Sequence, residues 1–415
     1  MSFFDSRWVP CPEHVRDAGE GLPAGFRAGA AAAGIKTEGV LDVGLLVCDA
    51  PDTVSAVRFT RSGVLAAPVL VTRDHARMDR LRAVAANSAN ANAATGEPGM
   101  QVALAMQRAA GEAAGIDADQ VAVASTGVIG VALDADIVAD GLGQAAHSLH
   151  GHGDIEFNEA IMTTDAFPKR ASLVVTLPSG EVRLSAQAKG AGMIEPAFAT
   201  MLCFVQTDAA LEPETADLLL GVCVKRSFDR ISVDGQLSTN DTAILMCSGS
   251  SGVFVAPESE DELRFGEALD ALLRMLALLM VRDGEGAKRI GRVVVRGGDQ
   301  EAAERCARAV ANSPLVKTAL HGADPNWGRI AQAVGAALPF SAPLSLDIAI
   351  GGIALCLDGA AVAYDDEALQ AAAAGDEIEY EVGLPILDPA HPAEAEVFFS
   401  DLGHGYITIN AEYTT

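Results

Sequence analysis

Short β-branched or apolar runs alternate along the whole chain with longer stretches of helical periodicity, and this alternation leaves a layered fold as the simplest outcome. Strand-like runs are Val40–Val47, Val69–Thr72, Val121–Ser125, Ser172–Leu177, Glu181–Gln187, Met201–Gln206, Ile290–Arg296, Ser345–Leu357, Glu377–Val382, Glu396–Phe399 and Tyr406–Ile409. Helical spacing covers Met100–Ala114, Glu212–Lys225, Ser259–Arg282, Gln300–Asn312 and Asn326–Ala337. Pro178-Ser179-Gly180 and Gly351-Gly352 separate neighbouring strand-like runs and read as hairpin turns. The alanine-rich stretches Ala28–Ala33 and Ala371–Ala374 read as helix ends or loops. The mixed order predicts α/β or α+β layers, with mixed sheets and helices, and excludes a pure bundle or a barrel of strands alone. At 415 residues two or three domains fit. The polar Asp283-Gly284-Glu285-Gly286 after a long apolar helix suggests a catalytic domain over 1–289 and a smaller C-terminal domain over 290–415.

Composition narrows the function. With 29 Lys and Arg against 56 Asp and Glu the formal charge is −27, which argues against nucleic-acid and anionic-membrane partners. It leaves small-molecule substrates, since a local basic pocket can override the total within a Debye length of about 8 Å. No run supplies the ~20 apolar residues of a membrane span, and Met1–Cys11 lacks the apolar core of a secretory signal. The seven cysteines are scattered and form no C-x-x-C pair, as expected of reduced, mostly buried thiols in a cytoplasmic protein.

Three segments could carry chemistry. In Lys189–Leu202, Gly190 and Gly192 loosen the backbone, Pro196 biases Glu195 to an extended form, and an apolar strand begins at Thr200. This reads either as a glycine turn feeding a core strand or as a strained loop presenting Thr200. A threonine becomes a competent nucleophile when its own α-amine, of reference pKa ~7.7–8.0, is free to take the hydroxyl proton. That requires scission of Ala199–Thr200. In Ala124–Gly130 a strand ends in Ser125-Thr126-Gly127, exposing a hydroxyl and backbone N–H groups that can hold an oxyanion or simply form a capped turn. Ser227–Thr242 packs many turn-forming polar side chains together and reads as an elaborate hydrogen-bonded turn, with or without a role in function. His147, His150 and His152 lack a completing carboxylate or thiol at ligand spacing, so no metal is expected. Gly297-Gly298-Asp299 matches neither nucleotide-binding pattern. Lys317 with Asn326-Trp327-Gly328-Arg329 reads as an anion site or a packed corner.

Taken together, the blocks Ala30–Lys36, Asn87–Asn92, Ser125–Gly130, Ile161–Asp165, Lys189–Leu202, Ser227–Thr242, Asp283–Lys288, Asn312–Ala319 and Asp324–Arg329 resemble the ornithine acetyltransferase family of arginine biosynthesis, also called bifunctional glutamate N-acetyltransferase/ornithine acetyltransferase. The likeness runs from Gly25 to Thr415. It implies an N-terminal-nucleophile-like architecture and self-cleavage at Ala199–Thr200 into chains 1–199 and 200–415, assembled as α2β2. It also implies Thr200 as nucleophile, Thr126 and Gly127 as oxyanion hole, and Lys189, Glu285, Asn410 and Thr415 as substrate contacts. The implied reaction is ping-pong transfer of acetyl from N-acetylornithine to glutamate, without a cofactor and with acetyl-CoA as a further donor if the enzyme is bifunctional. The chain departs from the family pattern in carrying Ala166 where a substrate-binding threonine follows Thr-Thr-Asp. Ala191, Ala197, Phe198, Gln236 and Ala94 are further departures. They leave open a relative acting on another N-acyl amino acid in a specialised pathway, an amidohydrolase with water as acceptor, and an uncleaved scaffold.

Overall fold

The computed structural model describes residues 3–195, 201–339 and 341–412. Thr200, Ala199 and Thr415, which the sequence marks as nucleophile, cleavage partner and substrate contact, lie outside the described residues.

Two sheets pack face to face. One has four strands in the order Phe26–Ala31, Val43–Cys48, Ala83–Asn87 and Val121–Ser125. The other has six, in the order Val15–Asp17, Lys169–Leu177, Gly180–Lys189, Leu202–Thr207, Thr242–Cys247 and Val54–Phe59. Side-chain alternation along Leu202–Thr207 explains the layering. Leu202 and Phe204 point into the core shared with the four-stranded sheet, while Cys203 and Val205 point into a second core under the helix Glu260–Arg282. A strand covered on both faces reads as an uninterrupted apolar run, which is why Met201–Gln206 stands out in the sequence. The helices Ala67–His75, Gly96–Ala114 and Ala135–His147 cover the outer face of the four-stranded sheet, completing an α–β–β–α stack. The layered mixed-sheet expectation is met.

Glu260–Arg282 begins where its sequence says it should. The Ser259 hydroxyl accepts the Glu262 N–H at 3.2 Å, acids fill the first turn and Arg282 the last. A seven-stranded sheet follows, in the order Ile231–Ser232, Glu394–Ser400, Ile290–Gly298, Glu377–Ile386, Asp347–Ile350, Ile353–Leu357 and Ala360–Ala361. Its apolar cluster is drawn from Val293–Phe399.

Three sequence expectations fail. Val69–Thr72 is not a strand but part of the helix Ala67–His75, which carries Pro68 in its first turn and buries Val69, Val71 and Thr72. The Thr72 hydroxyl donates to the Val123 carbonyl at 3.0 Å and accepts its N–H at 2.9 Å, so packing against a strand overrides β-branched propensity. Tyr406–Ile409 lies within the helix His404–Glu412, not a strand. Ala28–Ala31 belongs to a strand, because only small side chains fit there: a Cβ on Gly29 would stand 2.5 Å from the Ala145 carbonyl oxygen. Among the described residues, no helix is long and apolar enough to cross a membrane.

Candidate active site

Chain ends from several layers meet at one end of the stack. A cavity of about 220 Å³ is lined there by Thr126, Gly127, Thr163, Thr164, Lys189, Gly192, Met193, Asp234, Gln236, Glu285, Tyr406 and Asn410. Five of the predicted site residues, Thr126, Gly127, Lys189, Glu285 and Asn410, therefore line the same cavity. The sheet register supplies a further link. Lys189 pairs with Leu202 across antiparallel strands, so the start of the strand after the 196–200 segment lies directly beside Lys189. Met201 is held there from two sides: its N–H donates to Asp241 Oδ1 at 2.8 Å and its carbonyl accepts the Thr242 N–H at 3.1 Å.

Thr126-Gly127 leaves the end of Val121–Ser125 over a loop braced from behind. The Thr126 N–H is already spent on the Asn87 carbonyl at 3.0 Å, and the Val128 N–H on Ala89 at 3.1 Å. Among the described residues the Gly127 N–H has no acceptor, so it and the Thr126 hydroxyl are the available donors. The supporting loop is itself held by Asn240, whose Nδ2 donates to the carbonyls of Ala91 at 2.7 Å and Ser125 at 2.9 Å. Gly127 has φ +134°, and a Cβ on it would sit 2.2 Å from the Ala89 carbonyl carbon. We expect Gly127→Ala to push the loop off its support and lower the turnover rate by about 10²-fold, the usual result of an ångström-scale misplacement. A steady-state kcat close to the parent's would contradict this.

Lys189 is fully buried, and its Nζ donates to Thr126 Oγ1 at 3.1 Å and Thr163 Oγ1 at 2.9 Å. Burial pushes its pKa down, with Lys169 adding to that effect and Asp165 opposing it. Because Thr126 Oγ1 accepts from Lys189, its own proton is left to be donated into the cavity, polarised by the cation behind it. The third Lys189 N–H has no acceptor among the described residues, so it can meet a substrate carboxylate. Glu285 follows the end of the long helix and accepts from Asn410 Nδ2 at 2.6 Å. Its approach depends on Gly192, where a Cβ would stand 2.8 Å from the Glu285 carboxyl carbon.

The sequence model of the ArgJ family matches residues 27–415. This chain belongs to the ArgJ family. It is 41% identical over 397 residues to the arginine biosynthesis bifunctional protein ArgJ of Symbiobacterium thermophilum, covering 95% of this chain and 98% of that one. It is 39% identical over 412 residues to the glutamate N-acetyltransferase of Methanocaldococcus jannaschii, covering 97% and 100%. The solved ornithine acetyltransferase of Mycobacterium tuberculosis, complexed with ornithine, is 39% identical with a TM-score of 0.41, covering 45% of this chain and 99% of that one. As an ArgJ protein the chain is an N-acetyltransferase.

Lys169 and Tyr406 carry no site signal of their own in the sequence, and Asp165 and Asp234 lie in the named blocks Ile161–Asp165 and Ser227–Thr242 without being singled out there. Lys169 is completely buried between Asp165, at 2.7 Å, and Asp283, at 2.6 Å, and so ties the Thr163–Asp165 loop to the helix end that leads to Glu285. Burial alone would raise the Asp165 pKa, but Lys189 and Lys169 together hold it well below the ordinary carboxylate range. Asp165 also accepts the Gly190 N–H at 2.7 Å. Asp234 accepts the N–H groups of Met193 at 2.7 Å and Ile194 at 2.9 Å, fixing the loop before residue 196. Tyr406 donates to Asp234 at 3.3 Å and so docks the C-terminal helix on the same carboxylate. The exposed Ala166 offers its backbone N–H to Asp283 at 3.0 Å and is not among the cavity-lining residues.

Lys317 occupies a packed corner. It is fully buried, donates to the Ser400 carbonyl at 2.7 Å, and lies over the Phe399 ring at 5.4 Å. Arg329 is used by the Leu315 carbonyl at 2.7 Å and Thr318 Oγ1 at 3.2 Å. Burial lowers the Lys317 pKa from 10.5 to about 7 against the opposing pull of Asp234 and Asp401. Below about pH 7 both the folded and the unfolded chain hold this proton. Between about pH 7 and pH 10 the unfolded chain binds it and the folded chain does not, so this group makes stability rise with pH across that window. Lys317→Met should therefore gain relative to the parent by roughly 2–5 kcal/mol at about pH 6, the advantage shrinking steadily towards pH 10. Urea unfolding at several pH values measures it, and a pH-independent difference would contradict the assignment.

Proposed function

We propose that this ArgJ protein cleaves itself at Ala199–Thr200 and then transfers acetyl from N-acetylornithine to glutamate through an acetyl-Thr200 intermediate. The observation that carries this reading is the convergence of Thr126, Gly127 and Lys189 on one cavity, with Lys189 paired across the sheet to Leu202, two residues after Thr200.

In the first half-reaction Thr200 Oγ attacks the acetyl carbonyl while its own α-amine takes the hydroxyl proton. The Thr126 hydroxyl and the Gly127 N–H receive the developing oxyanion, which Lys189 stabilises from behind Thr126. The C–N bond then breaks, the proton passes from the Thr200 amine to the departing ornithine nitrogen, and acetyl remains on Oγ. Glutamate attacks that ester with its free amine, and the same groups act in reverse. Lys189 suits the substrate α-carboxylate and Glu285 suits an ammonium, giving an amino acid a fixed orientation. Asn410 positions Glu285, and Thr415 is assigned to the same contact set. No cofactor enters the scheme; acetyl-CoA would serve only as an alternative donor. The two chains would assemble as α2β2 in the cytoplasm.

Intact-mass measurement on the purified protein before and after N-acetylornithine tests the scheme. Two chains divided at 199/200, with one acetyl group gained by the 200–415 chain, is the expected result. A single uncleaved chain overturns it. Clean cleavage and acetylation by another N-acyl amino acid but not by N-acetylornithine would redirect the substrate assignment, and free acetate without transfer would make water the acceptor. Thr126→Val removes one oxyanion donor and should lower kcat by ~10²–10³. A kcat within about threefold of the parent would remove Thr126 from the mechanism.

A further inference from the structure

Self-cleavage needs a base that acetyl transfer does not. In transfer the α-amine of Thr200 takes the hydroxyl proton, but before the backbone is cut that nitrogen is an amide and is not basic. Another group must accept the proton in that step. Apart from the Tyr406 phenol, the ionisable side chains lining the cavity are Lys189, Asp234 and Glu285. Asp234 is committed to the N–H groups of Met193, Ile194 and Gln236 and to the Tyr406 hydroxyl. Glu285 is committed to Asn410.

Lys189 is distinguished by what it lacks. On the neighbouring strand Lys169 takes two carboxylates, Asp165 at 2.7 Å and Asp283 at 2.6 Å. Lys189 is as deeply buried, yet among the described residues it has no carboxylate within 4.0 Å and only the hydroxyls of Thr126 and Thr163 as partners. A buried ammonium without a counter-ion is costly and a buried amine far less so. Hydroxyls serve the amine equally well, since they donate as readily as they accept. With Thr126 and Thr163 on two positions of Nζ, the remaining position has no partner among the described residues, and in the neutral amine it holds the lone pair. The pKa agrees in direction: burial pushes it down and Lys169 adds to that, against Asp165, Asp241 and Glu285.

We infer that neutral Lys189 is the base of the self-cleavage step, which rests on the cleavage at Ala199–Thr200 proposed above. It takes the Thr200 Oγ proton as Oγ bonds to the Ala199 carbonyl carbon, and the ammonium so formed stands behind Thr126 while the oxyanion develops. That ammonium returns the proton to the Thr200 nitrogen as the C–N bond breaks, leaving an ester on Oγ and a free amine. Water then hydrolyses the ester, its hydroxyl going to the Ala199 carbonyl carbon and its other proton to Oγ. Lys189 leaves the cut unchanged. From then on the α-amine is the base, and Lys189 is free to be charged by a substrate carboxylate.

Pulse-labelled cell-free synthesis, sampled over time on denaturing electrophoresis, measures the cut in parent, Lys189→Arg and Lys189→Ala proteins. No substrate is present, so the role of Lys189 in substrate binding does not enter. Arginine keeps the charge and the donors but does not give up its proton, so Lys189→Arg should cleave slower by ~10²-fold or more. Lys189→Ala should be as slow, and added methylamine should restore its cleavage in proportion to the free-base fraction. A chain that has merely failed to fold would not respond in that way. Lys189→Arg cleaving at the parental rate, or Lys189→Ala unmoved by methylamine, overturns the inference and leaves the cleavage itself standing. A parent that stays whole overturns the cleavage, and the base with it.

Discussion

Thr200→Ala protein is expected to run as one full-length band on denaturing electrophoresis and to transfer no acetyl, with activity down by roughly 10⁴–10⁶. One hydroxyl is assigned both tasks, first against its own backbone and then against substrate, so both must vanish together. Thr200→Ser keeps an oxygen at the same branch point and should still cleave, more slowly. The fold itself should be indifferent, because Met201 is anchored by Asp241 and Thr242 rather than by the residue before it. Matching thermal melts for parent and Thr200→Ala would therefore accompany the lost chemistry. A Thr200→Ala protein that still separates into two bands would move the nucleophile elsewhere and take the mechanism with it.

Lys169→Met is expected to be the most damaging single change outside the reacting groups. It strands two buried carboxylates, Asp165 and Asp283, that now share one ammonium. Removing one partner of a buried ionic cluster typically destabilises by ~3–5 kcal/mol, since the remaining charge has lost its compensation. The urea midpoint should fall accordingly, and acetyl transfer should fall with it, because Asp165 also fixes Gly190 and Asp283 fixes the Ala166 N–H. The deficit should narrow as pH drops into the carboxylate range, where the stranded acids can take up protons. A variant as stable as the parent at neutral pH would show that the cluster is ornamental.

What could be read from the sequence follows the physics of each element. The helix over Gln300–Asn312 and the strand over Val121–Ser125 are legible to the residue, because a cap on Asp299 and a clean apolar run delimit them. The hairpin at Pro178-Ser179 is legible for the same reason: Leu177 pairs with Gly180 across it. Val69–Thr72 is not, since a four-residue apolar run fits a buried strand and a buried helix equally well. Tyr406–Ile409 fails differently. A run of β-branched residues is helical there because the Tyr406–Asp234 and Asn410–Glu285 contacts, 172 and 125 residues apart in sequence, place that helix. At the site, Thr126 and Gly127 are legible as a strand end that exposes a hydroxyl and N–H groups, Lys189, Glu285 and Asn410 come from the family resemblance, and all five meet on one cavity. Lys169 escapes the sequence reading because its second partner, Asp283, lies 114 residues away; Asp234 falls inside the polar segment Ser227–Thr242, but its partners Met193, Ile194 and Tyr406 lie 41, 40 and 172 residues away, so its role is not legible there.

The order of strands in the six-stranded sheet bears on how such a molecule can be taken apart. Leu202–Thr207 and Thr242–Cys247 sit side by side, enclosed between Gly180–Lys189 on one flank and Val54–Phe59 on the other. Both enclosing strands precede residue 196, and both enclosed strands follow it. Opening the backbone between them therefore frees no piece: each part is woven through the hydrogen-bond ladder of the other. Made separately, the C-terminal part would present two bare apolar edges and be prone to aggregate rather than to wait for its partner. Such a protein is best made as one polypeptide, with any nick introduced only after the weave is finished.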